Sequence, residues 1–477
     1  MRYHTLIIGA GMSGLAAGIR LAYYEKPVCI LERHTTIGGL NSFYRLRDRN
    51  YDVGLHAVTN YAPPGTRTGP LAKLLKQLRL RWDDFDLAPQ NGSSVVFPGQ
   101  RLAFANDFAA FVEGVCREFP DQADAFKRLV RCIDDFDETS LTQRVIPARS
   151  VLHDFIADPV LIDMLLCPLM FYGSATPRDM DFSQFCIMFK SIYQQGFARP
   201  LGGVRQILKS LTRHYKELGG ELRLRHGVRE ITTDGRRATG VILDDGREIE
   251  AEHVLSSAGI VETLSLVSAG ARGLTGAANP QAAVGSGLEQ DVPERGAISF
   301  NEAIFVLDCQ PRELGHRETI VFYNDADRFH YEPPTGPLDL RSGIICSPNN
   351  FQYADDAQLD EGIIRITALA NPEYWMSLPD EEYYPIKAAW GERMAAAAAR
   401  QIPDFRDHVI ETDIFTPRTI KKFTGHLNGA VYGAPRKVLA GRTDIENLYL
   451  CGTDQGFLGI IGAMLSGITM ANNHLLK

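Results

Sequence analysis

Three glycines and one acid near the N-terminus are the residues of this chain best placed to do chemistry, and that chemistry is the holding of a dinucleotide. Gly9, Gly11 and Gly14 form a G-x-G-x-x-G turn with Ala10, Met12 and Ser13 between them. The glycines allow a tight turn, close approach of backbone to a pyrophosphate and close packing of helix on strand. The helix that follows adds N–H donors and a positive dipole end. Glu32 stands 18 residues after Gly14, at the end of the apolar run Val28-Cys29-Ile30-Leu31. An acid there can accept hydrogen bonds from a ribose 2′-hydroxyl and disfavours a 2′-phosphate, so FAD or NAD suits the site better than NADP. A further pair, Gly38-Gly39, lets another loop approach an extended cofactor.

A second constellation closes the chain. Leu448-Tyr449-Leu450-Cys451 runs into Gly452-Thr453-Asp454, then Gly456, Gly459 and Gly462, with a helix predicted over 463–476. Here again a strand delivers backbone N–H groups and a carboxylate to a helix start. The acid suits ribityl or ribose hydroxyls; as an ordinary turn it would only cap a helix. His56, just after Gly54-Leu55, is the acid–base candidate because its charge changes near neutral pH, although a lone histidine is more often structural. The chain has no C-x-x-C, no H-E-x-x-H and no G-x-S-x-G, and its eight cysteines are scattered. No metal site is expected, the cysteines read as small buried hydrophobes in a reducing compartment, and the chemistry must come from a bound cofactor.

The elements that position these residues follow from pattern. Thr5-Leu6-Ile7-Ile8 is a strand, and the Ala-rich run after Gly14 a helix; the glycine turn within Thr5–Ala22 argues against a signal peptide or a membrane span. Helical spacing recurs over 71–80, over 108–136 with a break at Phe119-Pro120-Asp121, and over 151–170, as a separate lobe. A helix opens at Pro200-Leu201-Gly202-Gly203 and runs through Glu217. Asp234-Gly235 and Asp245-Gly246 then punctuate alternating apolar runs, the mark of a β-meander. The Gly/Ala/Ser/Pro-rich stretch 269–297 reads as an exposed connection, strands recur at 303–307, 319–323, 343–346 and 363–369, and a helix is predicted over 385–400.

Bulk properties set limits. A length of 477 residues exceeds one core, and a net charge of −8 opposes nucleic acid as a partner. The expected location is cytoplasmic, with peripheral membrane attachment through the apolar stretch 151–172 open beside its reading as a core helix.

Taken together, the opening motif, Gly38-Gly39, Pro200-Leu201-Gly202-Gly203, Gly227-Val228, Thr416-Pro417-Arg418-Thr419, Gly429-Ala430-Val431-Tyr432-Gly433 and Cys451-Gly452-Thr453-Asp454 resemble the phytoene desaturase and carotenoid cis–trans isomerase family of FAD flavoproteins. The motifs at both ends are shared with protoporphyrinogen oxidases and amine oxidases. The resemblance implies an α/β fold: a three-layer, Rossmann-like FAD-binding domain (1–61, 200–268 and 420–477) with an inserted α+β substrate domain (62–199 and 269–419) that carries the helical lobe. It places Gly9, Gly11 and Gly14 at the pyrophosphate, Glu32 on the adenosine ribose, Val228 at adenine through its backbone, Asp454 near the ribityl chain and the Met464 backbone near the flavin ring. Met12, Ser13, Arg33, Gly38, Gly39, Leu40, Asn41, His56, Gly452, Thr453, Gly462 and Ala463 complete the expected cofactor set. Many relatives carry Arg directly after the Gly-Gly pair, where this chain has Leu40-Asn41.

The implied reaction is desaturation or saturation of an isoprenoid or polyene by hydride transfer at flavin N5, or cis–trans isomerisation, with oxygen or a quinone as electron acceptor where the flavin is reduced. A protoporphyrinogen- or amine-oxidase-like enzyme is the alternative. A non-catalytic prenyl-binding protein similar to Rab GDP dissociation inhibitors is an alternative of another class. Residues expected to form an apolar slot are Phe171-Tyr172, the run Phe182 to Phe189, Ile192-Tyr193 and Phe197, which could equally be plain core.

Overall fold

The computed structural model describes residues 2–137, 145–268, 293–354 and 357–477. Tyr3–Ile8 lies between two parallel neighbours, Val28–Glu32 and Glu248–Ser256. Glu221–Leu224 extends the parallel set beyond Val28–Glu32, and Leu448–Leu450 pairs with Glu248–Ser256. Strands covered on both faces need to be apolar throughout, and Val28–Glu32 is buried at every position. Arg237–Leu243 and Val228–Asp234 continue the sheet antiparallel, as the two Asp-Gly turns require. Gly235 and Gly246 take φ of +59° and +87°, which an L side chain resists.

The predicted three layers are present. Helices Met12–Tyr23, Gly203–Glu217 and Gly459–Met470 pack on one face through Leu15, Ile19, Leu208 and Ile461, and the meander covers the other through Ile231 and Val241. Helix Gly69–Leu78 lies in the segment assigned from sequence to the substrate domain. It nevertheless buries Leu71, Leu74, Leu75 and Leu78 in this first core. Those positions form an i, i+3, i+4, i+7 stripe, and a helix goes where its stripe is covered.

A second sheet of seven strands runs in the order Val409–Phe415, Ser299–Leu307, Gly362–Ala370, Leu338–Cys346, Ile320–Asn324, Ser93–Phe97 and Gln100–Phe104. Helix Asp380–Ala398 and Trp375 cover one face. Helices Phe108–Glu118, Ala123–Asp135, Ala148–Phe155, Pro159–Gly173 and Phe182–Phe189 share a core with the other face, where Leu165 and Phe189 join Val95, Phe300 and Ile344. The helices are thus a layer of this sheet and not a separate lobe, because their apolar faces are too broad to close on one another.

Helix Pro159–Gly173 starts where the Asp158 carboxylate accepts from Val160 N and Leu161 N, and it is buried from Leu161 to Phe171. It has no free apolar face to lay on a membrane. Among the described residues no helix is long and apolar enough to cross one. Most of the connection expected over 269–297, residues 269–292, lies outside the described residues.

Candidate active site

The glycine turn at the end of Tyr3–Ile8 opens onto a cavity between the two sheets. Each glycine meets a different constraint. Gly9 has φ +95°, and a Cβ on Gly14 would lie 2.2 Å from the Gly9 carbonyl oxygen, so helix and strand can approach only if residue 14 has no side chain. A Cβ on Gly11 would meet no protein atom within 4 Å. That position borders open space meant for something other than the chain. Gly38 N donates to Ala10 O at 2.9 Å, which seats the second glycine pair beside the first. Helix Met12–Tyr23 has no side-chain cap and no acid in its first turn, leaving its leading N–H donors free for an anion. Helix Gly459–Met470 also starts at the cavity without a side-chain cap.

Fifteen of the residues expected from sequence line this one cavity: Gly9, Gly11, Met12, Ser13, Glu32, Arg33, Gly38, Gly39, Leu40, Asn41, His56, Val228, Gly452, Thr453 and Ala463. The Glu32 carboxylate is pinned by Ala10 N and His34 N, each at 2.8 Å, and still has lone pairs for a hydroxyl. Gly14, Asp454, Gly462 and Met464 do not line it. Met464 is fully buried in the core of the first sheet, and Gly462 lies against Phe457.

Asp454 differs most from expectation. Its carboxylate accepts from Ile260 N at 2.7 Å and Ala434 N at 2.8 Å, with Lys437 Nζ at 3.6 Å. It ties together three segments distant in sequence. Because each oxygen already faces an N–H, Asp454→Asn must turn an amide donor toward a donor. We expect a loss of about 2–4 kcal/mol in denaturant unfolding, equal with and without cofactor.

The far end of the cavity is apolar, walled by Phe171, Tyr172, Phe300, Ile344, Phe415, Val431, Tyr432 and Leu458. Of the expected slot residues only Phe171 and Tyr172 reach it. Those from Phe182 to Phe197 close the core instead: Tyr193 stacks on Phe111 at 4.4 Å, and Phe182 on Phe185 at 5.8 Å. The helix 182–189 turns its aromatics toward other helices, so an aromatic-rich segment was no guide to which ring meets a ligand.

One corner of this apolar end is charged, and sequence reading found only one of its members. His56 Nε2 lies 3.0 Å from Thr367 Oγ1 and 3.3 Å from Glu302 Oε2. Arg365, 2% exposed, is paired with Glu302 and donates to Leu55 O at 2.7 Å and Val53 O at 2.6 Å. Arg199 donates to Leu55 O at 2.8 Å and is paired with Asp52. Two buried guanidiniums from different strands therefore clamp the loop that carries His56. Glu302 and Thr367 oppose one another in register, so adjacent strands present both on the cavity face. Burial pushes the Glu302 carboxyl up, but Arg365 and His56 outweigh it and hold it below the usual carboxylate range. A signal existed in the sequence: Glu302 and Arg365 are single charges inside the strand runs Ser299–Leu307 and Gly362–Ala370, which are otherwise largely apolar. A charge so placed needs a partner.

The eight cysteines are all free. Among the described residues, two groups with metal-ligating donors, His4/Glu252/His253 and Asp308/Cys309/His408, lie outside the cavity lining.

Open backbone donors at two helix starts, a pinned carboxylate, and a glycine with empty space before it fit an extended anion bearing hydroxyls, as FAD is. Comparison with known proteins agrees. Residues 12–265 match the family model described as flavin containing amine oxidoreductase. The chain is similar to prolycopene isomerase of Arabidopsis thaliana, 22% identical over 98% of this chain and 82% of that one. It is likewise similar to all-trans-retinol 13,14-reductase of Danio rerio, 22% identical over 98% and 84%. An oxidoreductase structure from Methanosarcina mazei superposes with a TM-score of 0.64 at 16% identity, covering 98% of this chain and 100% of the other. The family match spans more than half of the sequence, so the chain belongs to the flavin-containing amine oxidoreductases, and its cofactor is FAD.

Proposed function

We propose that this chain is an FAD-dependent oxidoreductase acting on an apolar isoprenoid or polyene, by desaturation, saturation or flavin-dependent cis–trans isomerisation. The observation that carries the reading is one continuous cavity, polar at the glycine turn and aromatic at its far end. The relatives' names, a prolycopene isomerase and an all-trans-retinol 13,14-reductase, agree with such a substrate.

In this reading Gly9, Gly11 and Ser13 hold the pyrophosphate at the helix start, Glu32 the adenosine ribose and the Val228 backbone the adenine. Gly38, Gly39, Leu40, Asn41, Gly452, Thr453 and Ala463 frame the rest. Bound FAD supplies an acceptor and donor of an electron pair. The protein's share is orientation: aromatic walls hold a conjugated chain in one pose and exclude water. A cationic amine is the poorer fit, because the carboxylate at the apolar end, Glu302, is already engaged by Arg365 and His56. Oxygen or a quinone would reoxidise the flavin, and a lipid-soluble substrate implies peripheral contact with a membrane.

The test is direct. Purified protein is expected to be yellow, or to become so with FAD, and its flavin to bleach anaerobically with a polyene that can be desaturated. Incubation with all-trans-retinol or prolycopene, followed by chromatography of the extracted lipid, identifies the reaction. Protein that stays colourless after incubation with FAD would reject the reading, and failure to float with liposomes would reject membrane contact.

A further inference from the structure

The charged corner of the cavity holds more side-chain order than substrate packing requires. His56 is mostly buried, its Nε2 engaged by Glu302 and Thr367, and its Nδ1 has no protein partner among the described residues. Every element packed against it contributes something. Strand Ser299–Leu307 gives Glu302; strand Gly362–Ala370 gives Arg365 and Thr367; strand Leu338–Cys346 gives Cys346, whose thiol lies 3.8 Å from His56 O. Helix Pro159–Gly173 gives the Tyr172 ring, 6.5 Å from the imidazole between centroids, and strand Ala198–Pro200 gives Arg199, with Asp52 behind it.

The charges in this corner close without His56. Arg365 pairs with Glu302 and Arg199 with Asp52, so a neutral imidazole leaves the corner neutral. Burial pushes the Cys346 thiol up to about 12 and the Tyr172 phenol well above its ordinary value. Neither changes charge near neutrality. His56 is then the group in this corner able to take and return a proton, and an arriving proton meets the Glu302 carboxylate.

Resting on the flavin reading above, the geometry points to His56 as the group that exchanges a proton with the substrate, with Glu302 and Arg365 as positioning residues that hold its ring and set its charge. In dehydrogenation, one C–H bond would break with its electron pair taken up as hydride, the chemistry that FAD supplies when bound. The C–H bond on the neighbouring carbon breaks with its proton passing to His56 Nδ1, and a C=C bond forms between the two carbons. Saturation is the same exchange reversed. A purely thermal or radical isomerisation would need no such group, so the corner favours a reaction that adds or removes hydrogen.

The experiment uses the FAD-loaded protein and reads the flavin midpoint potential against pH by anaerobic dithionite titration, with no substrate required. The wild type is expected to show a pH profile to which the His56 side chain contributes. In His56→Phe the imidazole's contribution disappears and only the change of slope from the reduced flavin's own ionisation stays. In Glu302→Gln, with the anionic partner of His56 gone, the His56-dependent part of the profile moves to lower pH. Glu302→Asp keeps the pairing with Arg365 but draws the carboxylate back from His56. It should move that part in the same direction, and it serves where the glutamine variant folds poorly. A profile in His56→Phe identical to that of the wild type, or unchanged in both Glu302 variants at full flavin content, overturns the assignment. Colourless protein would instead defeat the flavin reading itself.

Discussion

Gly11→Ala is expected to yield a folded protein that has lost most of its affinity for FAD. The backbone at Gly11 has φ −73° and ψ 177°, which alanine adopts without strain. Its added methyl would meet no protein atom within 4 Å, so the fold has no reason to object. The methyl would stand where the backbone must approach a pyrophosphate, in front of the leading N–H donors of helix Met12–Tyr23. We expect at least a tenfold rise in the FAD dissociation constant, with the melting temperature of the cofactor-free protein unchanged within about 2 °C. Gly14→Ala is the control. There the methyl collides with the Gly9 carbonyl at 2.2 Å, and folding itself should suffer. Fluorescence titration with FAD and thermal melts separate the two outcomes, and wild-type affinity in Gly11→Ala would mean the open space is not a phosphate site.

That contrast shows what sequence patterning could and could not reach. The glycine motif, Glu32, the meander with its Asp-Gly turns and the closing strand were legible because each is a local rule: φ above zero, a period of two, or a helix start. The charged corner was not, because Glu302 and Arg365 are brought together by the pairing of strands 299–307 and 362–370, more than fifty residues apart. No window of the sequence contains both. Asp454 was ambiguous for a related reason. A carboxylate after a strand can serve a ligand or the chain's own N–H groups, and which it does depends on where Ile260 and Ala434 fold. Helix Gly69–Leu78 reads equally well as part of either unit until the face that covers its leucines is known.

The second large effect belongs to that corner. Arg365→Met should destabilise the protein by about 3–5 kcal/mol, because it strands a buried carboxylate, removes the donor to Val53 O and leaves Leu55 O with Arg199 alone. The dependence on pH should change sign. In the wild type the folded carboxyl of Glu302 is held below its ordinary value despite burial. Its contribution is therefore present above the unfolded value of about 4.3 and lost as pH falls through the folded one. With Arg365 gone, burial dominates and the folded value rises above the unfolded value. The unfolded chain then releases this proton more readily, so the variant should lose stability as pH rises from about 4.3 toward the new folded value. Urea unfolding at pH 5 and pH 8 checks this: the gap between wild type and Arg365→Met should be wider at pH 8. Removing both charges in Glu302→Leu/Arg365→Met should recover most of the loss, since an apolar pair of similar volume needs no solvation. A double variant no more stable than the single one would show that the bonds from Arg365 to Leu55 O and Val53 O, and not the ion pair, hold the loop beneath His56.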